Sequence, residues 1–384
     1  MSGKVNWPVK VYNIRRLATL PKRCMGRIWI SASRCRQTFR EEGLLSGALY
    51  IYRKLSHKIF VLQIIRYVVG TIYHNACYAM HSASGGSLFL GAPRSRQNFH
   101  IYCVPRKPAL GMTTMEEQAY IEYHAREMFT GMGEMVDLGC FVGSSTIPMA
   151  KGLEANAKQA VRNKKVHAYD RFVWEEWMDS SEEWLAGLYL PQECFLDEFE
   201  RQTARWKKRI QVYAGDILQI GWKGAPIEFL FVDAMKSWEL ANFILREFFS
   251  ALIPGISYVV HQDFAHYRTP WIHLIMYRLR EFFESAEHVP NSPSHVFRYC
   301  QRATVDMLNT SFSFDSFRPD EIDSAFHYSL GLAPVEVRGN VAAAKVMCFI
   351  QQGDFDRARC EYEASLAQGL PWHCDLQFVR PYLR

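Results

Sequence analysis

Residues 136–145 read Val136-Asp137-Leu138-Gly139-Cys140-Phe141-Val142-Gly143-Ser144-Ser145, and the fold turns on them. The run EMVDLG, Glu134 to Gly139, is a short apolar strand that reaches an acid and then a glycine turn. A helix-compatible stretch from Ser144 to about Val161 follows. Glycines at 139 and 143 let the backbone approach a ligand where a side chain would collide. The dinucleotide fingerprint G-x-G-x-x-G is absent, which leaves a G-x-x-x-G turn or a generic strand-to-helix turn.

Working outward, the same pattern repeats. KVHAYD ends at Asp170, RIQVYAGD near Asp216, IEFLFVD at Asp233, and ISYVVHQD at Asp263. Helical stretches, among them FLDEFERQTARWKK and SWELANFILREFFSAL, lie between these strands. Upstream, Thr114 and Glu117 have capping-box spacing, so a helix is expected from there to Gly131. Strands alternating with helices predict right-handed crossovers and an α/β fold: a Rossmann-like, mostly parallel sheet with helices on both faces. Each strand-end acid alone reads as a solvated carboxylate. Several on successive strand ends share the edge where open α/β sheets bind ligands.

Asp137 to Asp263 resembles a class I S-adenosylmethionine-dependent methyltransferase, about 130 of the 384 residues. Phe231-Val232-Asp233-Ala234-Met235-Lys236 is similar to the V-D-A-x-K strand end of the catechol and caffeoyl-coenzyme A O-methyltransferases. The layout of Asp170-Arg171-Phe172, Asp233 and Gln262-Asp263-Phe264 resembles the macrocin O-methyltransferases, which methylate sugar hydroxyls. The resemblance implies a cofactor site at Asp137, Gly139, Cys140, Phe141, Gly143, Ser144, Asp170, Arg171, Asp216, Ile217 and Asp233. Within it, Asp170 would accept the ribose hydroxyls and Asp216 would meet the adenine amino group. Asp233 and Asp263 are the candidate ligands of a magnesium ion, although His261-Gln262-Asp263 stands where the relatives carry an acidic pair. Lys236 matches a general-base lysine, with His261 and His266 as rival bases.

The expected activity is O-methylation of a hydroxyl on a sugar, glycan or other small polyhydroxylated acceptor. The alternatives are a metal-independent N- or C-methyltransferase and a methyltransferase-like scaffold without catalysis. Residues 171–190 carry Trp174, Trp177 and Trp184, readable as a lid over the acceptor or as core packing.

The flanks differ from this core. Residues 1–70 hold 14 Lys and Arg against Glu41 and Glu42, whereas the rest of the chain is net acidic within a total of +6. Residues 1–112 are read as a basic, partly helical N-terminal extension, residues 113–310 as the cofactor-binding domain, and residues 311–384 as a C-terminal helical hairpin and tail. The stretch Ile59 to Tyr73, interrupted by Arg66, is shorter than the roughly 20 residues a spanning helix needs. It reads as a buried helix, or as a basic surface in peripheral contact with anionic lipid. No nucleic-acid module accompanies it. Ten scattered cysteines without a C-x-x-C pair suggest a reducing, cytoplasmic setting. The G-D-F-D-x-A-x-x-x-Y-E-x-A-x-L spacing from Gly353 resembles a single tetratricopeptide repeat, a unit that cannot bury its own face alone.

Overall fold

The computed structural model describes residues 108–384, except 182–183, 371–374 and 384. The expectations for the basic N-terminus, including Ile59 to Tyr73, lie outside the described residues. Among those residues no helix is long and apolar enough to cross a membrane.

The expected parallel strands are present: β1 (Glu134–Leu138), β2 (Val166–Asp170), β3 (Ile210–Ala214), β4 (Ile227–Val232) and β5 (Tyr258–His261). Two further strands, β6 (Phe283–His288) and β7 (His295–Tyr299), extend the sheet beyond the five expected. The order is β3-β2-β1-β4-β5-β7-β6; β7 runs antiparallel to β5 and β6 antiparallel to β7. The chain is therefore doubly wound and reverses direction across the sheet between β1 and β4. Ligands of such sheets bind at that point, beyond the carboxyl ends of the strands.

Side-chain alternation builds two cores. Val136, Leu230, Val232 and Val259 face one side, where they join α4 (Trp238–Glu247), α5 (Pro270–Arg278), α6 (Pro319–Leu332), α7 (Arg338–Gln351) and α8 (Phe355–Ala367). Met135, Phe229, Phe231 and Val260 face the other, against α1 (Met115–Tyr123), α2 (Thr146–Ala155) and α3 (Leu196–Thr203). A period of two distributes both sets without any residue serving both faces.

Local chemistry fixes the helix starts. Thr114 and Glu117 form the reciprocal capping box at α1, with Thr114 Oγ1 accepting from the Glu117 N–H at 3.1 Å. Ser237 Oγ accepts the Leu240 N–H at 3.2 Å to open α4, and prolines begin α5 and α6. Helices α7 and α8 meet at Gly353, whose φ of +79° places it in the left-handed region.

Candidate functional site

The site is built from the turns that follow β1, β2, β4 and β5. Gly139 adopts φ +87°, and a Cβ there would sit 2.8 Å from the Asp233 carbonyl oxygen. The β1 turn thus packs backbone on backbone against the β4 turn. The Asp233 N–H donates to Leu138 O at 2.8 Å and the Gln262 N–H to Val232 O at 3.0 Å, which keeps the three strand ends in step.

Asp137 is fully buried. Its carboxylate accepts from Ser145 Oγ at 2.9 and 3.1 Å and from Thr146 Oγ1 at 2.5 Å, fastening the end of β1 to the start of α2. Burial pushes its pKa up to about 7, against the pull of those two hydroxyls. Asp137, expected at the cofactor, has no accessible surface here, and its hydrogen bonds shape the turn. Ser145 and Thr146 were missed as partners. Their signal is the hydroxyl pair eight and nine residues after the acid.

Asp170 holds the other side of the turn. Its two carboxylate oxygens accept the N–H groups of Phe141 and Phe172, each at 2.8 Å. Both phenylalanines have left-handed backbones, φ +46° and +52°. Such conformations cost non-glycine residues about 1–2 kcal/mol, so one carboxylate stabilises two strained turns. Burial raises the Asp170 pKa, while the two N–H donors lower it. Asp170 remains partly accessible and Arg171 is exposed. Asp216 is also exposed and caps the one-turn helix Ile217–Ile220 by accepting the Leu218 N–H at 3.0 Å.

Of the remaining cofactor candidates, Cys140, Phe141, Gly143, Ser144 and Ile217 are buried. Phe141 stacks on Trp174 at 6.3 Å and meets Phe195 edge-on at 5.3 Å. Trp174 is fully buried and Trp177 is 49% exposed, so the first tryptophan of the 171–190 segment is core.

The acids after β4 and β5 converge on one lysine. Lys236 Nζ lies 2.5 Å from Asp233 Oδ1 and also donates to Asp263 Oδ2. With its amide nitrogen toward the acids, Gln262 reaches Asp233 Oδ1 at 3.2 Å and Asp263 Oδ1 at 3.0 Å. Burial alone pulls the Lys236 pKa down, but the two carboxylate charges outweigh it and hold the pKa above the ordinary lysine value. Burial pushes the Asp233 pKa above the ordinary carboxylate value, Lys236 pulls it down, and the Asp263 charge adds to the rise. Lys236 is thus an ammonium paired to both acids, and the base role expected of it would require that pairing to be released. Lys236 stands between Asp233 and Asp263, the two residues expected to hold magnesium, and among the described residues no group of three or more His, Cys, Asp or Glu is placed to hold a metal.

The histidines separate. His261 is fully buried between Phe249 and Phe297, its ring nitrogens have no hydrogen-bond partner, and burial lowers its pKa to about 3. It pairs across the sheet with His295 of β7, which closes off the strand end where an accessible base was expected. His266 stays partly accessible, and its Nδ1 accepts a long 3.3 Å bond from the Arg268 N–H. Asp375, from the C-terminal segment, accepts the Tyr267 N–H at 3.0 Å, and burial raises its pKa while the neighbouring His266 lowers it.

No protein-family model matches the chain, and no curated protein does. Solved structures are similar at a low level. A methyltransferase from Geobacter sulfurreducens shares 14% identity over 48% of this chain and 77% of its own, with a TM-score of 0.31. The pyocyanin biosynthetic protein PhzM shares 15% over 47% of this chain and 54% of its own, with a TM-score of 0.28. A putative rRNA-methylase from Clostridium thermocellum shares 12% over 49% of this chain and 97% of its own, with a TM-score of 0.29.

Proposed function

We propose that the chain binds S-adenosylmethionine at the carboxyl edge between β1 and β4 and transfers its methyl group to a hydroxyl of a sugar or small polyhydroxylated acceptor. The observation that carries this reading is convergence. The Gly139 turn, Asp170 and Asp233 meet at the reversal point of the sheet, and Asp216 lies on the same edge.

The donor set suits that cofactor. Asp170 spends one hydrogen bond on each oxygen, and a carboxylate oxygen takes about two, so lone pairs remain for a ribose diol. An acid-lined edge also favours a cationic sulfonium over its neutral thioether product. When bound, the cofactor supplies a methyl carbon activated for in-line displacement. The protein then has to align the acceptor and take its proton. Lys236 offers an accessible ammonium donor to orient an acceptor oxygen, its side chain being 49% exposed. Of the three base candidates we favour His266, which is partly accessible. The Nδ1 lone pair is occupied only by a long bond that a substrate hydroxyl can replace.

The test is transfer of a labelled methyl group to a panel of sugars, polyols, catechols and amines. Product on a hydroxyl acceptor is expected, and His266→Ala should lower kcat by about 10²–10⁴-fold with little change in cofactor affinity. Product on amines or carbon acids alone would contradict the oxygen assignment. Cofactor binding with no turnover on any acceptor would favour the scaffold reading.

A further inference from the structure

Two acids from separate strands share one side-chain nitrogen, and the chain around that nitrogen is fixed on both sides. Asp233 follows β4 directly and Asp263 lies two residues past β5. Lys236 reaches them from a tight turn in which its own N–H donates to Ala234 O at 2.9 Å. The next residue, Ser237, caps α4 and so anchors the turn from the other side. The Asp233 and Asp263 side chains are 21% and 11% exposed, against 49% for Lys236. The carboxylates therefore sit behind the ammonium rather than in front of it. Gln262 completes the cluster by bridging the two acids from the backbone of β5's end.

We propose that Lys236 is the permanent cation of this acid pair, seated where a divalent ion would have to bind, so that the wild-type protein excludes divalent metal from the site. A hard cation such as magnesium needs six oxygen ligands at close range. Here the facing carboxylate oxygens already serve the ammonium, which is tethered and cannot diffuse away. A lysine ammonium has three donors, and two serve these acids. The third is left for an oxygen of a bound molecule, giving the lysine the positioning task that a metal performs in other carboxylate sites. This inference concerns the acid cluster alone and stands or falls separately from methyl transfer.

The experiment is Mn²⁺ titration of the full chain followed by electron paramagnetic resonance, which reads bound metal without any activity. Wild type and Lys236→Arg are expected to bind no stoichiometric Mn²⁺ at this site. Lys236→Met, which uncovers both carboxylates, should bind one equivalent at least about tenfold more tightly than wild type. Adding Asp263→Asn to Lys236→Met should abolish that gain. One equivalent of Mn²⁺ on the wild type, lost in Asp263→Asn, would overturn the proposal. So would a Lys236→Met protein with wild-type circular dichroism and Tm that gains no affinity. Should Lys236→Met fail to fold, Lys236→Gln, a neutral side chain that also uncovers the carboxylates, takes its place with the same two outcomes.

Discussion

Asp137→Ala is expected to lower the free energy of unfolding by about 2–5 kcal/mol near pH 4, where the carboxyl carries no ionisation penalty and each of the two stranded buried hydroxyls costs about 1–3 kcal/mol. The substitution strands the Ser145 and Thr146 hydroxyls in a dry interior and releases the start of α2 from the end of β1. It also opens a void on the face of β1 that carries Met135, opposite Val136 and Leu138. Ser145→Ala and Thr146→Val each remove a single donor and should cost about 1–2 kcal/mol. Urea unfolding of the three variants measures this. A loss below about 1 kcal/mol for Asp137→Ala would show that the acid does not hold the turn.

Asp137 carries a second expectation through pH. Its folded pKa of about 7 lies above the ordinary carboxyl value of 3.8, so the fold disfavours the charged form. The resulting penalty is absent below pH 4 and grows as the pH rises to about 7. Asp137→Asn should therefore flatten part of the stability profile over that window.

The second large effect has the opposite sign. Burial lowers His124, His261 and His273 to about 3 and His288 to about 4, and drives His295 well below its ordinary value. For each, the folded pKa lies below the unfolded value. The stability it permits is complete above about pH 6.5 and falls with acidification until the folded pKa is reached. The loss is about 1.4 kcal/mol per histidine per pH unit. Because the raised acids oppose this trend, a subtraction isolates it. His273 packs between Phe264 and Phe326, each ring centroid 4.9 Å away, and neither ring nitrogen has a hydrogen-bond partner. His273→Leu should stabilise the protein by about 1–3 kcal/mol at pH 7 through removal of unpaired polar atoms. The advantage should widen by about 2 kcal/mol at pH 5. Urea titrations at the two pH values measure the gap, and a gap independent of pH would contradict a buried neutral imidazole at this position.

The parallel strands were legible because each is an apolar run stopped by an acid, and the glycine turn marked where β1 ends. Strands β6 and β7 were both missed, β6 for a physical reason. The β6 sequence FESAEH lies on the sheet edge with mostly exposed side chains, so it shows no run of buried residues. That omission produced the error over His261. Without β7 beside it, β5 appeared to end at an open rim, whereas the His261–His295 register seals it. The pairing of Lys236 was hidden for a similar reason. Its spacing from Asp233 is visible in sequence, but the partner that turns it into a doubly paired cation is Asp263, 27 residues farther on. Asp137 shows a related limit: strand-end acids look alike in sequence, and only the packing of α2 turns this one inward. Asp170 instead clamps two left-handed phenylalanines, whose positive φ leaves no compositional trace.

Isothermal titration of the full chain with S-adenosylmethionine and S-adenosylhomocysteine addresses the central claim, that the β1–β4 edge is a pocket for a sulfonium nucleoside. The account predicts one equivalent bound with a Kd of roughly 1 μM to 1 mM, weakened at least about tenfold in Asp170→Asn when measured well below that variant's own Tm, with its circular dichroism unchanged. Absence of binding at about 1 mM, or binding indifferent to Asp170, would contradict it.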